Sequence, residues 1–134
     1  MAEGRSSAVV LLVEDDPVIS LDTSMTLQDM GVARVDATFT LEEADAAINR
    51  ETPSLALMDI DLRGVTSFAL AERLVALGVP CVFTTGHGQE LPVPPSLKGT
   101  LVITKPYDPA QLRTILRPYL HPPADEALVP PGKG

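Results

Sequence analysis

Acidic residues stand at two points where short apolar runs end. Glu14 and Asp15 follow the run AVVLLV, and Asp59 and Asp61 follow the run LALM. A carboxylate at the mouth of a buried strand is costly unless it is paired or bound to a metal ion. If these acids converge, a divalent cation offsets their repulsion, and Mg²⁺ suits them because it prefers oxygen ligands.

Thr85 and Lys105 each close a further apolar run. A lysine ammonium supplies positive charge and a threonine hydroxyl supplies a hydrogen bond, and both groups bind phosphoryl oxygens. Magnesium keeps several waters and so leaves room for phosphate oxygens beside its carboxylate ligands. Together with the acids, these residues predict a phosphoryl-transfer site in which an aspartate is the nucleophile.

The elements that must position these residues are predicted from the alternation of apolar runs with helical periodicity. The runs lie at residues 8–13, 32–37, 55–59, 79–85 and 100–104. Their alternation with helices predicts a flavodoxin-like, doubly wound α/β fold with a five-stranded parallel sheet in the order 2-1-3-4-5. The four strands that end in the chemical residues are then consecutive neighbours, so their side chains can converge at one edge of the sheet.

Capping residues and apolar periodicity locate the helices. Asp16, Thr40 and Asp108 are N-cap residue types at the starts of three predicted helices. In the first helix, apolar residues recur at helical spacing at Val18, Leu21 and Met25, and Met25 is expected in the core. Leu77 and Tyr119 are expected on the inward faces of the helices near residues 67–77 and 109–120.

Residues 86–99 break the alternation. Pro92, Pro94 and Pro95 stand where a regular fourth helix would otherwise lie. Proline restricts the residue before it and removes a helical hydrogen bond. The fourth helix is therefore predicted to be shortened or replaced by a loop.

Composition bounds the domain organisation and the partners. The 134 residues are 45% hydrophobic, which suits one domain at residues 8–120, with a flexible N-terminus at 1–7 and a proline-rich, disordered tail at 121–134. The formal charge of −8 disfavours direct contact with nucleic acid or anionic membranes. No stretch approaches the roughly 20 apolar residues that span a bilayer, so a cytoplasmic location is expected. The single cysteine, Cys81, is expected in the core.

Four motifs together resemble the receiver domains of two-component response regulators. They are VEDDP at 13–17, LMDIDLRG at 57–64, TTG at 84–86 and KPYD at 105–108, in the order and approximate spacing of that family. The resemblance implies that Asp59 is the phosphoacceptor. It also implies a Mg²⁺ site formed by the carboxylates of Glu14, Asp15 and Asp59 and the main-chain carbonyl of Asp61.

The same resemblance assigns roles to the remaining motif residues. Thr85 is implied to turn its hydroxyl toward the phosphoryl group, and Lys105 to pair with that group. The fragment VFTTGHG is similar to the F-A-T-G motif of a branch of single-domain receivers, which are usually paired with sensor histidine kinases of the HWE or HisKA2 type. Val102 stands where many receivers carry Tyr or Phe, so any switch is expected to act through residues 86–99, together with Tyr107.

The implied function is that of a single-domain response regulator. It would accept a phosphoryl group on Asp59 from a histidine kinase in a Mg²⁺-dependent reaction and assist its own phosphorylation and autodephosphorylation without being an enzyme in the ordinary sense. Its output would be a contact with a downstream protein partner, or a role as a phosphate shuttle or sink. His87 and His121 have no partner at metal-ligand spacing and are interpreted as loop and tail residues.

Two other functions are compatible with parts of the pattern. Glu14 followed by Asp59 and Asp61 imitates the acidic set of a TOPRIM-like, metal-dependent nuclease or topoisomerase-type domain, although this interpretation leaves Thr85 and Lys105 unexplained. A receiver-like scaffold that works without phosphorylation is the third hypothesis.

Overall fold

The computed structural model describes residues 7–86 and 93–120. In this part of the chain the strands are β1 (Val9–Val13), β2 (Arg34–Thr38), β3 (Leu55–Asp59), β4 (Asp61–Leu62), β5 (Val65–Thr66), β6 (Cys81–Thr85) and β7 (Leu101–Thr104). Five of them form one parallel sheet in the order β2-β1-β3-β6-β7. The short strands β4 and β5 pair with each other as an antiparallel hairpin. Apart from this hairpin, the sheet has the predicted order 2-1-3-4-5, and the predicted fold class is confirmed.

The described residues form four helices, namely α1 (Pro17–Asp29), α2 (Leu41–Arg50), α3 (Phe68–Ala76) and α4 (Pro109–Leu120). The predicted caps are present, since the side chain of Asp16 accepts from the amides of Val18 and Ile19, and that of Thr40 accepts from the amide of Glu43. The Asp108 carboxylate accepts from the amide of Gln111 in the same way. These short-range bonds satisfy amides that have no partner within their helix.

The connection from β6 to β7 contains no regular α-helix among its described residues. A single 3₁₀ turn, Pro95–Leu97, lies there, and residues 87–92 fall outside the described part. The turn packs against α3 and buries Leu97. A shortened fourth helix was predicted from the prolines, and the described residues agree with it.

Two apolar layers cover the faces of the sheet. Along β1, Leu11 and Val13 point into one layer, while Val10 and Leu12 point into the other. This alternation follows from the two-residue period of a strand. The central strands β1, β3 and β6 are completely buried between these layers, whereas the edge strands β2 and β7 are partly exposed.

The prediction that the apolar stripe of α1 packs into the core is wrong. Val18, Leu21 and Met25 are 72%, 63% and 54% exposed. The helix instead buries Ser20, Thr23, Thr26 and Leu27. Hydropathy misassigned this face because a buried threonine is tolerated when its hydroxyl is bonded, as when Thr26 donates to the carbonyl of Asp22.

Two further inward assignments are wrong for a positional reason. Leu77 lies at the C-cap of α3, beyond the last helical residue, and is exposed. Tyr119 is exposed because α4 turns Leu112, Leu116 and Leu120 toward the sheet. Those three residues are four apart, so a residue next to the last of them falls on the flank of the helix.

Other sequence expectations fall partly or wholly outside the described residues. Residues 1–6 and 121–134 are outside, as are His87 and His121, so the predicted terminal segments and the roles of both histidines stay predictions. Cys81 is buried as expected, and burial raises the pKa of its thiol to about 11. None of the described helices is long and apolar enough to cross a membrane.

Candidate functional site

The carboxyl-terminal edge of the sheet gathers the chemical residues. Glu14 directly follows β1, Asp59 ends β3, Thr85 ends β6 and Lys105 directly follows β7. In the register of the sheet, Asp59 lies beside Thr84, and Thr85 lies beside Thr104. The strand order thus brings residues that are as many as 91 positions apart in the chain into hydrogen-bonding distance.

Three carboxylates form a cluster at this edge. Glu14, Asp15 and Asp59 each offer an oxygen, and these oxygens lie within 4.8 Å of one another. Glu14 and Asp59 are buried, whereas Asp15 is partly exposed. A set of hard oxygen donors with one partly exposed member fits Mg²⁺, which prefers oxygen ligands and keeps several waters.

Lys105 joins two of the three acids. Its Nζ donates to Asp59 Oδ2 at 2.8 Å and to Glu14 Oε1 at 3.2 Å, and its side chain is largely buried. The main chain of Lys105 is fixed as well, because its amide donates to the carbonyl of Thr85 at 2.7 Å. The ammonium group is therefore held against the carboxylate that was predicted to be the nucleophile.

The charges at the site do not balance. Burial raises the pKa of Glu14 and that of Asp59, although the bonds and the charge of Lys105 act in the opposite direction. Burial alone would lower the pKa of Lys105, but its bond to Asp59 and the charges of Asp59 and Glu14 outweigh that effect and raise it. One ammonium group thus faces more negative charge than it neutralises, and this excess favours a bound cation.

The main chain around Asp59 is held on both sides. The buried hydroxyl of Ser67 donates to the carbonyl of Asp59 at 2.7 Å. The amide of Ile60 donates to the carbonyl of Thr84 at 2.9 Å, which continues the sheet beyond the end of β3. The amide of Asp61 donates to Asp59 Oδ1 at 3.3 Å. These bonds restrict the orientation of the Asp59 carboxylate before any ligand arrives.

Asp61 contributes to the site differently from the other acids. Its carboxylate accepts from the amide of Gly64 at 2.8 Å and so closes the turn between β4 and β5. It is absent from the carboxylate cluster of the described residues. The arrangement leaves its main-chain carbonyl as the group predicted to face the cation, and it gives no support to a TOPRIM-like site in which both carboxylates would bind metal.

Two hydrogen bonds at the loop after β1 fix the position of Glu14. The amide of Glu14 donates to the carbonyl of Thr38 at 3.1 Å, and Glu14 Oε2 accepts from the amide of Asp16 at 3.0 Å. Asp16 in turn caps α1. The start of α1 and the position of the acidic pair are consequently set by the same short segment.

Thr85 carries a hydroxyl whose bonding capacity is unused. Its Oγ1 is buried and has no hydrogen-bond partner within residues 7–86 and 93–120. A buried hydroxyl without a partner costs free energy, so its presence calls for an explanation. A phosphoryl oxygen at the neighbouring Asp59 is a partner of the right chemistry.

Arg63 is a site residue that the sequence interpretation missed. Its Nε lies 3.4 Å from Asp15 Oδ2, and its side chain is 81% exposed. It adopts a positive φ of 57° in the turn that Gly64 completes. The only available signal was a basic residue four positions after Asp59, which does not reveal that the turn folds back toward Asp15.

Comparisons with known proteins agree with this geometry. Residues 10–117 match the response regulator receiver domain. The chain is 26% identical over 110 residues to the phyllosphere-induced regulator PhyR of Methylorubrum extorquens, covering 80% of this chain and 41% of that protein. It is 27% identical over 120 residues to the response regulator Rre1 of Synechocystis sp., covering 83% of this chain and 51% of that protein. The chain thus spans about half the length of these relatives, or less.

Solved structures give the same result for the fold. A CheY-like receiver domain protein from Methanospirillum hungatei superposes with a TM-score of 0.73 at 28% identity, and the match covers 84% of this chain and 92% of that one. The match of residues 10–117 to the family, the strand order and the acidic edge of the sheet lead to one conclusion. This chain belongs to the response regulator receiver domain family.

Proposed function

We propose that this receiver domain accepts a phosphoryl group on Asp59 from a phosphorylated histidine of a sensor kinase. The observation that carries the proposal is the convergence of three carboxylates with Lys105, whose Nζ lies 2.8 Å from Asp59 Oδ2. In the transfer, a carboxylate oxygen of Asp59 attacks phosphorus and the bond from phosphorus to the imidazole nitrogen breaks. A proton restores the neutral imidazole, and the product is an acyl phosphate.

Receiver domains bind Mg²⁺ in an acidic pocket, and the cluster of Glu14, Asp15 and Asp59 is the matching pocket of this chain. Together with the main-chain carbonyl of Asp61, these residues would hold the cation. When bound, Mg²⁺ supplies positive charge that reduces the repulsion between the carboxylate and the incoming phosphoryl oxygens.

Lys105 and Thr85 act on the phosphoryl oxygens in this proposal. Lys105 already faces Asp59, so its ammonium group needs only a small movement to exchange a carboxylate oxygen for a phosphoryl oxygen. The unused Oγ1 of Thr85 donates a hydrogen bond to another of these oxygens. Both interactions form only when the phosphoryl group is present, and such interactions can shift the domain between two conformations.

The exposed apolar face of α1 is the proposed docking surface for the kinase. Val18, Leu21 and Met25 lie on one side of a helix that starts beside the acidic pair. A kinase histidine must reach Asp59, so the surface bordering the site has to accept the kinase. The likeness to the F-A-T-G branch suggests a kinase of the HWE or HisKA2 type. The output is proposed to be a contact with a downstream protein, or phosphate transfer onward.

Labelling with radioactive acetyl phosphate tests the phosphoacceptor role. Wild type should be labelled in Mg²⁺ and should stay unlabelled when the metal is chelated before the donor is added, while Asp59→Asn should stay unlabelled in both conditions. Asp61→Asn is the matched control, because its proposed contribution comes from the main chain, and it should still be labelled. Equal labelling of Asp59→Asn and wild type would refute the proposal. Equal affinity for a captured partner with and without label would instead favour a scaffold that ignores phosphorylation.

A further inference from the structure

We propose that Tyr107 and Thr23 form a positioning pair, in which the hydrogen bond between their hydroxyl groups holds the Lys105 segment against α1 and thereby aims Lys105 at Asp59. This inference rests on the proposed function, because it concerns the residues that prepare Asp59 for phosphoryl transfer. It adds two residues to the carboxylates, Thr85 and Lys105 that the proposed function already uses.

The bond joins two distant parts of the chain. The oxygens of Thr23 and Tyr107 are 2.8 Å apart, although the residues are separated by 84 positions. Thr23 is buried on α1, and the ring of Tyr107 packs against the same apolar layer as Leu112 and Leu116. Burial raises the pKa of Tyr107, so its hydroxyl keeps its proton at neutral pH.

The two ends of this bond lie on the two chain segments that carry the opposite charges of the site. Tyr107 comes two residues after Lys105, and α1 begins immediately after the acidic residues Glu14, Asp15 and Asp16. A lysine side chain has four rotatable bonds, so its direction depends on how firmly its main chain is held. The amide of Lys105 binds the segment to β6, and Tyr107 binds the following residues to α1.

The surroundings leave room for movement if this bond is lost. A cleft of about 150 Å³ separates α1 from the segment after β7. Ile19, Asp22 and Thr26 line it on the helix side, and Lys105, Pro106 and Pro109 line it on the other. Because packing in this cleft is incomplete, the hydroxyl pair adds a restraint to the one that packing of the Tyr107 ring provides.

The simpler interpretation is that the bond merely satisfies the buried hydroxyl of Thr23 and the partly buried one of Tyr107. Under that interpretation its loss lowers stability but leaves the chemistry at Asp59 unchanged. Under the positioning hypothesis its loss slows phosphoryl transfer, and only while Lys105 is present. The two interpretations therefore differ in a measurable way.

The test uses the full chain, acetyl phosphate and saturating Mg²⁺, with the initial labelling rate as the readout and thermal unfolding as the check on folding. Tyr107→Phe and Thr23→Val each remove one hydroxyl while keeping the shape. Each should lower the rate about threefold to tenfold, the effect expected for one lost hydrogen bond, and the double variant should be no slower than either. Thr23→Ser should restore the rate. Tyr119→Phe, which alters the other tyrosine, should match wild type.

A second comparison asks whether the pair acts through the lysine. In a Lys105→Ala background, Tyr107→Phe should cause no further loss of rate. A further loss of the same size would contradict a role in aiming Lys105. Folded hydroxyl variants that are labelled at the wild-type rate would also overturn the positioning pair, whatever their melting temperatures.

The same labelling rates distinguish failure of the positioning pair from failure of the proposed phosphoacceptor role. Labelling that disappears in Asp59→Asn but is unaffected by the hydroxyl variants refutes the positioning pair alone. Labelling that survives in Asp59→Asn refutes the phosphoacceptor role and this inference together.

Discussion

Charge is the property that single residues bring to this site. Glu14, Asp15 and Asp59 place three carboxylates together, and the nearby cations are Lys105, which is largely buried, and Arg63, which is exposed. Because a buried charge interacts more strongly than an exposed one, Lys105 contributes more to the site than Arg63 does. The two cations should therefore respond differently to mutation, pH and salt.

The acids make the metal-free domain more stable as the pH falls. Burial raises the pKa of Glu14 and Asp59 above 4.5 and 3.8, so the folded state binds protons that the unfolded state still releases. This stabilisation is complete below those unfolded values and is lost as the pH rises through the folded ones. Urea unfolding in chelator should show that the stability of wild type relative to Asp59→Asn increases from about pH 8 to about pH 5. A relative stability that decreases on acidification would contradict the raised pKa of Asp59.

Arg63 should weaken Mg²⁺ binding because it competes for Asp15. Removing an exposed ion pair changes free energy by at most about 1 kcal/mol, so Arg63→Gln should raise the Mg²⁺ affinity by no more than about fivefold. Calorimetric titration at low salt measures the affinity, and added salt should reduce the difference. Arg113→Gln removes the same charge near Asp29, at the far end of α1, and should have no effect. An unchanged or weaker affinity in Arg63→Gln would show that Arg63 does not compete.

Residue types and the predicted strand order placed the acids together with Lys105 and Thr85, but they did not predict the contacts of Arg63, Thr23 and Tyr107. Glu14, Asp15 and Asp59 could be placed together because strand ends of a parallel sheet share one edge. The contact of Arg63 with Asp15 and that of Thr23 with Tyr107 depend on the path of a turn and on the rotation of a helix. Neither feature leaves a pattern in a single sequence.

Among the elements, α1 connects folding to the site most directly. Its N-cap Asp16 accepts from the amides of Val18 and Ile19 at 2.9 and 3.3 Å, and its own amide donates to Glu14. The first turn of the helix and the acidic pair thus depend on the same few bonds. A substitution at Asp16 should therefore lower both the stability of the domain and its affinity for Mg²⁺.

Asp16→Ala should lower the free energy of unfolding by about 1 kcal/mol, because it leaves two helix amides without an acceptor. Its main-chain bond to Glu14 remains, so Mg²⁺ binding should weaken rather than vanish. Asp22→Ala, an exposed change on the same helix, should cost clearly less. Urea denaturation compares the variants, and equal losses in the two would show that the cap contributes nothing.

The positions of the elements were predictable, but the buried faces were only partly so. Capping at Asp16, Thr40 and Asp108 is read from adjacent residues, and the structure contains all three caps. The predicted inward face of α1 is wrong because its buried threonine hydroxyls form hydrogen bonds, as that of Thr23 does with Tyr107. A hydropathy pattern records polarity but not whether a polar group finds its partner after folding.

At the scale of the whole molecule, the site and the exposed apolar face of α1 lie close together. This surface, formed by Val18, Leu21 and Met25, is the proposed kinase contact. Small phosphodonors need only the site, whereas a kinase needs both the site and the surface. A charge placed on the surface should therefore affect one donor and not the other.

Leu21→Glu should leave labelling by acetyl phosphate unchanged but slow transfer from a phosphorylated HWE-type histidine kinase by about tenfold or more. Leu101→Glu is the control, because this exposed leucine begins β7 and so lies at the amino-terminal end of the strands, away from the site. Transfer kinetics with both donors distinguish the cases. If Leu21→Glu and Leu101→Glu receive phosphate from the kinase at the same rate, α1 is not the docking surface.

The central claim is that the phosphoryl group resides on the carboxylate of Asp59. The most direct measurement is peptide mapping by mass spectrometry after a short incubation with a phosphodonor and Mg²⁺. We predict that the added mass of one phosphoryl group is found on Asp59 and that it is released by hydroxylamine, as expected for an acyl phosphate. The same mass on a serine, threonine or histidine, or its absence from every peptide, would contradict the account.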